Sequence, residues 1–108
     1  MEEYTQIIKR LEEVRKNYPG VYKEYVEAGR IYRKVYAKHL MEVYSQYASQ
    51  PLRDNAVESI MQETETDTLD RWQKADYEFN LITNEQRILS IMSKLLTAKD
   101  FSERYSVS

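Results

Sequence analysis

The chain of 108 residues contains no cysteine, two glycines, two prolines, one histidine and one tryptophan. Without cysteine, disulfides and thiolate chemistry are excluded, which suits a reducing compartment. Two glycines and two prolines fall far below average usage of about 7% and 5%. Sheet proteins need many turns, and turns draw on those residues. Few turns mean few, long elements, which points to helices. The net charge is −2, so the chain lacks the global basic field of a dedicated duplex binder. No apolar run approaches the roughly 20 residues a bilayer span requires. The first ten residues mix acids and bases among their apolar positions, unlike a secretory signal. Together these features give an expectation of a cytoplasmic protein with no membrane contact.

Charged side chains of both signs make up 31% of the chain, as on the outer faces of long helices. The clearest periodicity lies in residues 69–96. Leu69, Trp72, Ala75, Phe79, Ile82, Gln86, Leu89, Ser93 and Leu96 form a seam, with steps of three and four from Trp72 onward, the spacing of a helix that lies along another helix. Beside it runs a second row of Tyr77, Leu81, Ile88, Ile91, Met92 and Leu95. Two rows give more apolar surface than one neighbouring helix can cover.

Upstream, Tyr4, Ile7, Ile8, Leu11, Val14 and Tyr18 form one stripe, and Pro19-Gly20 stands as a helix stop. A second stripe follows through Tyr22, Tyr25, Gly29, Tyr32, Tyr36, His39, Val43 and Gln46. Its four tyrosines bury large rings while each hydroxyl needs water or a partner. Gly29 in mid-helix costs about 1 kcal/mol against alanine; close approach of another helix and a tolerated weak spot both account for it. Ala56, Val57, Ile60 and Met61 fit a short amphipathic helix after Pro51. The expected fold is all-α: an elongated antiparallel hairpin of two long helices, with an additional N-terminal helix and a short connector helix. The expected helices cover residues 2–17, 21–49, 52–62 and 66–97, within one domain over residues 1–98. Residues 99–108 read as a polar tail.

No pattern points to a reaction, so the expectation is a protein that is not an enzyme and needs no cofactor. The single histidine, His39, has no partner at metal-ligand spacing, and neither a phosphate loop nor a nucleophile elbow is present. Charge is more informative. Residues 28–41 hold Arg30, Arg33, Lys34 and Lys38 and no acid. Residues 54–78 hold Asp54, Glu58, Glu63, Glu65, Asp67, Asp70, Asp76 and Glu78 against Arg71 and Lys74. In an antiparallel hairpin these stretches come alongside, and ion pairs between them would set its register.

Three functional readings follow. In the leading one, a protein partner or a second copy binds surplus apolar and aromatic groups: Tyr32, Tyr36, Tyr44, Ile88, Ile91 and Leu95. In another, Arg30, Arg33, Lys34 and Lys38, with Tyr32 and Tyr36 interleaved, bind single-stranded nucleic acid. In the third, Glu58, Glu63, Glu65, Asp67 and Asp70 mimic nucleic-acid charge and inhibit a host defence nuclease, as anti-CRISPR proteins do.

One resemblance bears on these readings. The helix Tyr25-Val26-Glu27-Ala28-Gly29-Arg30-Ile31-Tyr32-Arg33-Lys34-Val35-Tyr36 leads to the connector Pro51-Leu52-Arg53-Asp54-Asn55-Ala56-Val57-Glu58. Ala75-Asp76-Tyr77-Glu78-Phe79 and an end of Leu89-Ser90-Ile91-Met92-Ser93-Lys94-Leu95-Leu96 follow. Over residues 20–98 this texture resembles small helical proteins of phages and prophages of Gram-positive bacteria, often encoded beside replication and recombination genes. The resemblance implies a phage accessory protein in the host cytoplasm. It carries over no site residue.

Overall fold

A computed structural model describes the backbone of residues 2–105 and the side chains of residues 2–99. The described chain is all-α. Helix α1 spans Glu2–Val43, one turn of 3-10 helix spans Tyr44–Gln46, α2 spans Gln50–Thr64 and α3 spans Thr66–Tyr105. Glu2 and Glu3 open α1, where the helix dipole favours acids. Pro51 sits in the first turn of α2, where its missing amide is least missed. Glu65 alone separates α2 from α3, and its amide donates back to the Met61 carbonyl at 2.9 Å.

The expected stop at Pro19-Gly20 does not occur. Residues 2–17 are the N-terminal part of α1, which passes through both residues. Proline in a helix interior removes one hydrogen bond and crowds the preceding turn, at about 3 kcal/mol. Pro19 and Gly20 are exposed, so water can serve the carbonyl that Pro19 leaves without a donor. Nearby, Leu11 and Val14 are 3% and 1% exposed, and the Tyr18 ring lies 6.1 Å from that of Phe79. This packing holds the chain helical across a local cost. The second expected helix also ends earlier than residue 49, at Val43, and the last runs past residue 97 to Tyr105. Of the expected tail, residues 106–108 lie outside the described residues.

The expected domain over residues 1–98 is built as two compact units: one of Met1–Val21 with Glu78–Ser108, the other of Tyr22–Tyr77. In the first, α1 and α3 run antiparallel. Ile7, Leu11 and Val14 are buried, and Arg10 Nε donates to Glu85 at 2.5 Å. In the second, α1 and α3 are again antiparallel, with Glu24 2.6 Å from Arg71, and α2 folds back onto them. Its core is Val43, Val57 and Met61, with Tyr32, Val35, Tyr36, Leu40, Ala56 and Ile60 packed around it.

Candidate functional site

In the second unit Trp72 organises the tyrosines. Its ring lies 5.6 Å from Tyr32, nearly parallel, and 5.4 Å from Tyr25, both favourable aromatic separations. Between these tyrosines, two turns apart on α1, sits Gly29. A β-carbon there would come within 2.8 Å of Trp72 Cζ3. Close approach of another helix is therefore the reason for this glycine, and the rings beside it are part of the packing.

Tyr36 is half-buried and donates its hydroxyl to Asp54 at 2.5 Å. Burial, reinforced by the Asp54 carboxylate, pushes the phenol well above its usual range. Arg53 closes the chain between α1 and α2. Its Nε donates to the Tyr44 and Tyr47 carbonyls at 3.1 and 3.0 Å, and its guanidinium rests 3.8 Å from the centre of the Tyr44 ring. Tyr32 and Tyr36 thus serve internal packing, and Tyr44, though exposed, lies against Arg53. Their rings are engaged, and they do not form the open face expected with Ile88, Ile91 and Leu95.

The basic strip stays at the surface. Arg30, Arg33, Lys34 and Lys38 are exposed, and among the described residues none of them forms an ion pair. The expected pairing of this strip with the acidic stretch is replaced by Glu24–Arg71 in the second unit and Arg10–Glu85 in the first, at the opposite polarity to that anticipated for Glu24–Arg71. Of the two interleaved tyrosines, Tyr32 stacks on Trp72 and Tyr36 is bonded to Asp54, so neither ring stands free beside the bases. The acidic residues are dispersed. Glu58 and Glu63 are five positions apart on α2, about 140° around it; Asp67 and Asp70 are on α3; Glu65 lies at the junction.

Glu65 is committed to His39, which is 8% exposed. The imidazole lies between two carboxylates, Nε2 3.1 Å from Glu65 and Nδ1 3.1 Å from Glu42. The bond to Glu65, joined by that to Glu42, raises its pKa above the ordinary value against the opposing effect of burial. Among the described residues no set of three or more His, Asp or Glu is placed to hold a metal.

The remaining candidates belong to the first unit. The main seam of α3 is spent on α1: Ile82, Gln86, Leu89, Ser93 and Leu96 are each partly buried. The second row is open. Leu81 is 54% exposed, Ile88 51%, Ile91 50%, Met92 43% and Leu95 65%. The N-terminal residues of α1 lie along the main seam, with Ile7, Leu11 and Val14 buried there. Residues on the two rows project from widely separated sides of one helix, so a single partner cannot cover both. On one flank Met92 and Leu95 join Ile7, Leu89 and Leu96 in an apolar groove lipped by Glu3 and Arg10. Tyr77, in the second unit, is also exposed, at 67%.

No protein-family model matches the chain, and no match is found among curated proteins or solved structures. Among the described residues no helix is long and apolar enough to cross a membrane.

Proposed function

We propose that this chain is a non-enzymatic helical interaction protein that works by presenting the open face of α3 to a protein partner. One observation carries the reading: five large apolar side chains between residues 81 and 95 stand about half exposed on a helix whose other seam is already used. A contiguous apolar patch of this kind marks an interaction surface. In the rest of the chain the polar groups that might have done chemistry are engaged: His39 with two glutamates, Tyr36 with Asp54, Arg53 with two carbonyls. We infer from the resemblance over residues 20–98 a phage accessory protein acting in a bacterial cytoplasm, in support of DNA replication or recombination.

The test is site-specific photo-cross-linking in cells producing the protein. A benzophenone side chain at Ile88 should give a discrete adduct with a protein. The same group at Met41, which is 82% exposed in the second unit, should not. No adduct from Ile88, or equal smears from both positions, would overturn the reading.

A further inference from the structure

The open face of α3 has a finer pattern than a general apolar row. Leu81, Asn84, Ile88, Ile91, Leu95 and Ala98 follow one another at steps of three and four. All six are exposed and all belong to the first unit. This is a heptad seam, with Leu81, Ile88 and Leu95 at one core position and Asn84, Ile91 and Ala98 at the other. Such a seam is shaped to take the knobs of a second helix running alongside.

We propose that the occupant of this seam is the same segment of a second copy of the chain, packed parallel and in register. The inference rests on the interaction reading above and names its partner. Asn84 selects the partner. Its side-chain amide carries both a donor and an acceptor, and an apolar residue opposite would leave both unmet when the seam closes. A second Asn84 in register supplies both, and a lone asparagine in an otherwise apolar seam is a recognised device for fixing register. The other layers then pair like with like: Leu81, Ile88, Ile91 and Leu95 each meet their own copy.

Asn84 selects the orientation as well: in an antiparallel overlap of the seam it would face Leu95 of the partner subunit, with its amide unmet. Beside the seam, Asn80, Arg87 and Lys94 line one edge, and Glu78, Glu85, Met92 and Lys99 line the other. In a parallel pair each edge faces the opposite one. Asn80 then lies near Glu85 of the partner subunit, and Arg87 near Met92 of the partner subunit. One like-charge approach remains, Lys94 with Lys99 of the partner subunit, at the wet end of the seam. Residues 81–98 span only about 26 Å at 1.5 Å per residue, short of a standard interface. The dimer is therefore a weak one, in the size class of transient contacts.

Sedimentation velocity between roughly 1 and 500 µM tests the pairing. Wild-type protein should shift from monomer to dimer across this range. Ile88→Glu and Leu95→Glu alter side chains exposed in the monomer, so helicity and melting should hold at low concentration while association weakens at least about tenfold. The chain has no cysteine, so single-cysteine variants report register cleanly. Ile91→Cys and Leu95→Cys, which keep Asn84, should each cross-link to itself on mild oxidation, since both face their own copy only in a parallel, in-register pair. A monomer throughout the range, a dimer indifferent to both glutamates, or self-linkage at only one cysteine would overturn the proposal. A monomer in solution together with an Ile88 adduct to a different protein would overturn the second copy and leave the interaction reading standing.

Discussion

The two glycines of α1 look alike in sequence and differ in what surrounds them. A β-carbon at Gly20 would meet nothing within 4 Å, whereas one at Gly29 would strike the Trp72 ring. Gly20→Ala should therefore raise stability by about 0.5–1 kcal/mol, the helix gain alone. At Gly29 the same gain is opposed by about 1–3 kcal/mol of overpacking, because Trp72 is held between Tyr25 and Tyr32 and cannot give way. Urea denaturation of the two variants should move the midpoints in opposite directions. His39 gives a pH signature. A raised folded-state pKa means that its contribution is complete below the unfolded value of 6.5 and is lost as pH rises through the folded value. Melting temperature should fall from pH 6 into the mildly alkaline range, and His39→Gln should flatten that slope. The sequence showed Gly29 and His39 on the right stripe. It could not show their partners, because Trp72 and Glu65 lie 43 and 26 positions away and only the folded pairing brings them near.

At the scale of the helix, period carried the reading and punctuation misled it. Both rows of α3 were legible from spacing alone, since burial follows the 3.6-residue repeat position by position: Phe79, Ile82 and Leu89 turn in, Leu81, Ile88 and Leu95 turn out. The break at Pro19 was inferred from a local preference, and local preference yields to packing. Residues on both sides of the proline find a seam on α3, Tyr18 against Phe79 in one unit and Tyr25 against Trp72 in the other, so ending the helix would give up more than the proline costs. The proline still costs the helix one backbone hydrogen bond. Pro19→Ala would restore one backbone hydrogen bond and relieve crowding, about 3 kcal/mol in favour, offset by about 0.4–1 kcal/mol of regained freedom in the unfolded chain. We expect a net gain of about 2–2.6 kcal/mol, read as a higher denaturation midpoint with unchanged helicity. A loss of stability would show that Pro19 itself helps to bring the flanking residues onto their seams.

Across the whole chain, the division into two units implies unequal local stability. The second unit has three helical segments contributing to its packing, and Ala28, His39, Val43, Val57, Met61 and Ala75 are buried there. The first unit has two, and its buried apolar residues, Ile7, Leu11 and Val14, all come from α1. Its α3 segment holds no buried residue among those described, and its other row faces water. Opening free energy tracks buried apolar contact, so amides of residues 81–96 should exchange with solvent faster than those of residues 39–43 and 57–61. If the open row is an interaction surface closed by a second copy, this inequality has a concentration dependence. Partner binding stabilises only the state that binds, by an amount that grows with free partner. Hydrogen exchange measured at a few micromolar and again near 500 µM should show protection rising over residues 81–96 and staying level over residues 57–61. Ile88→Glu should abolish the rise without changing exchange at the lower concentration. Equal slowing in both units would instead indicate a general stabilisation, with no pairing localised to α3.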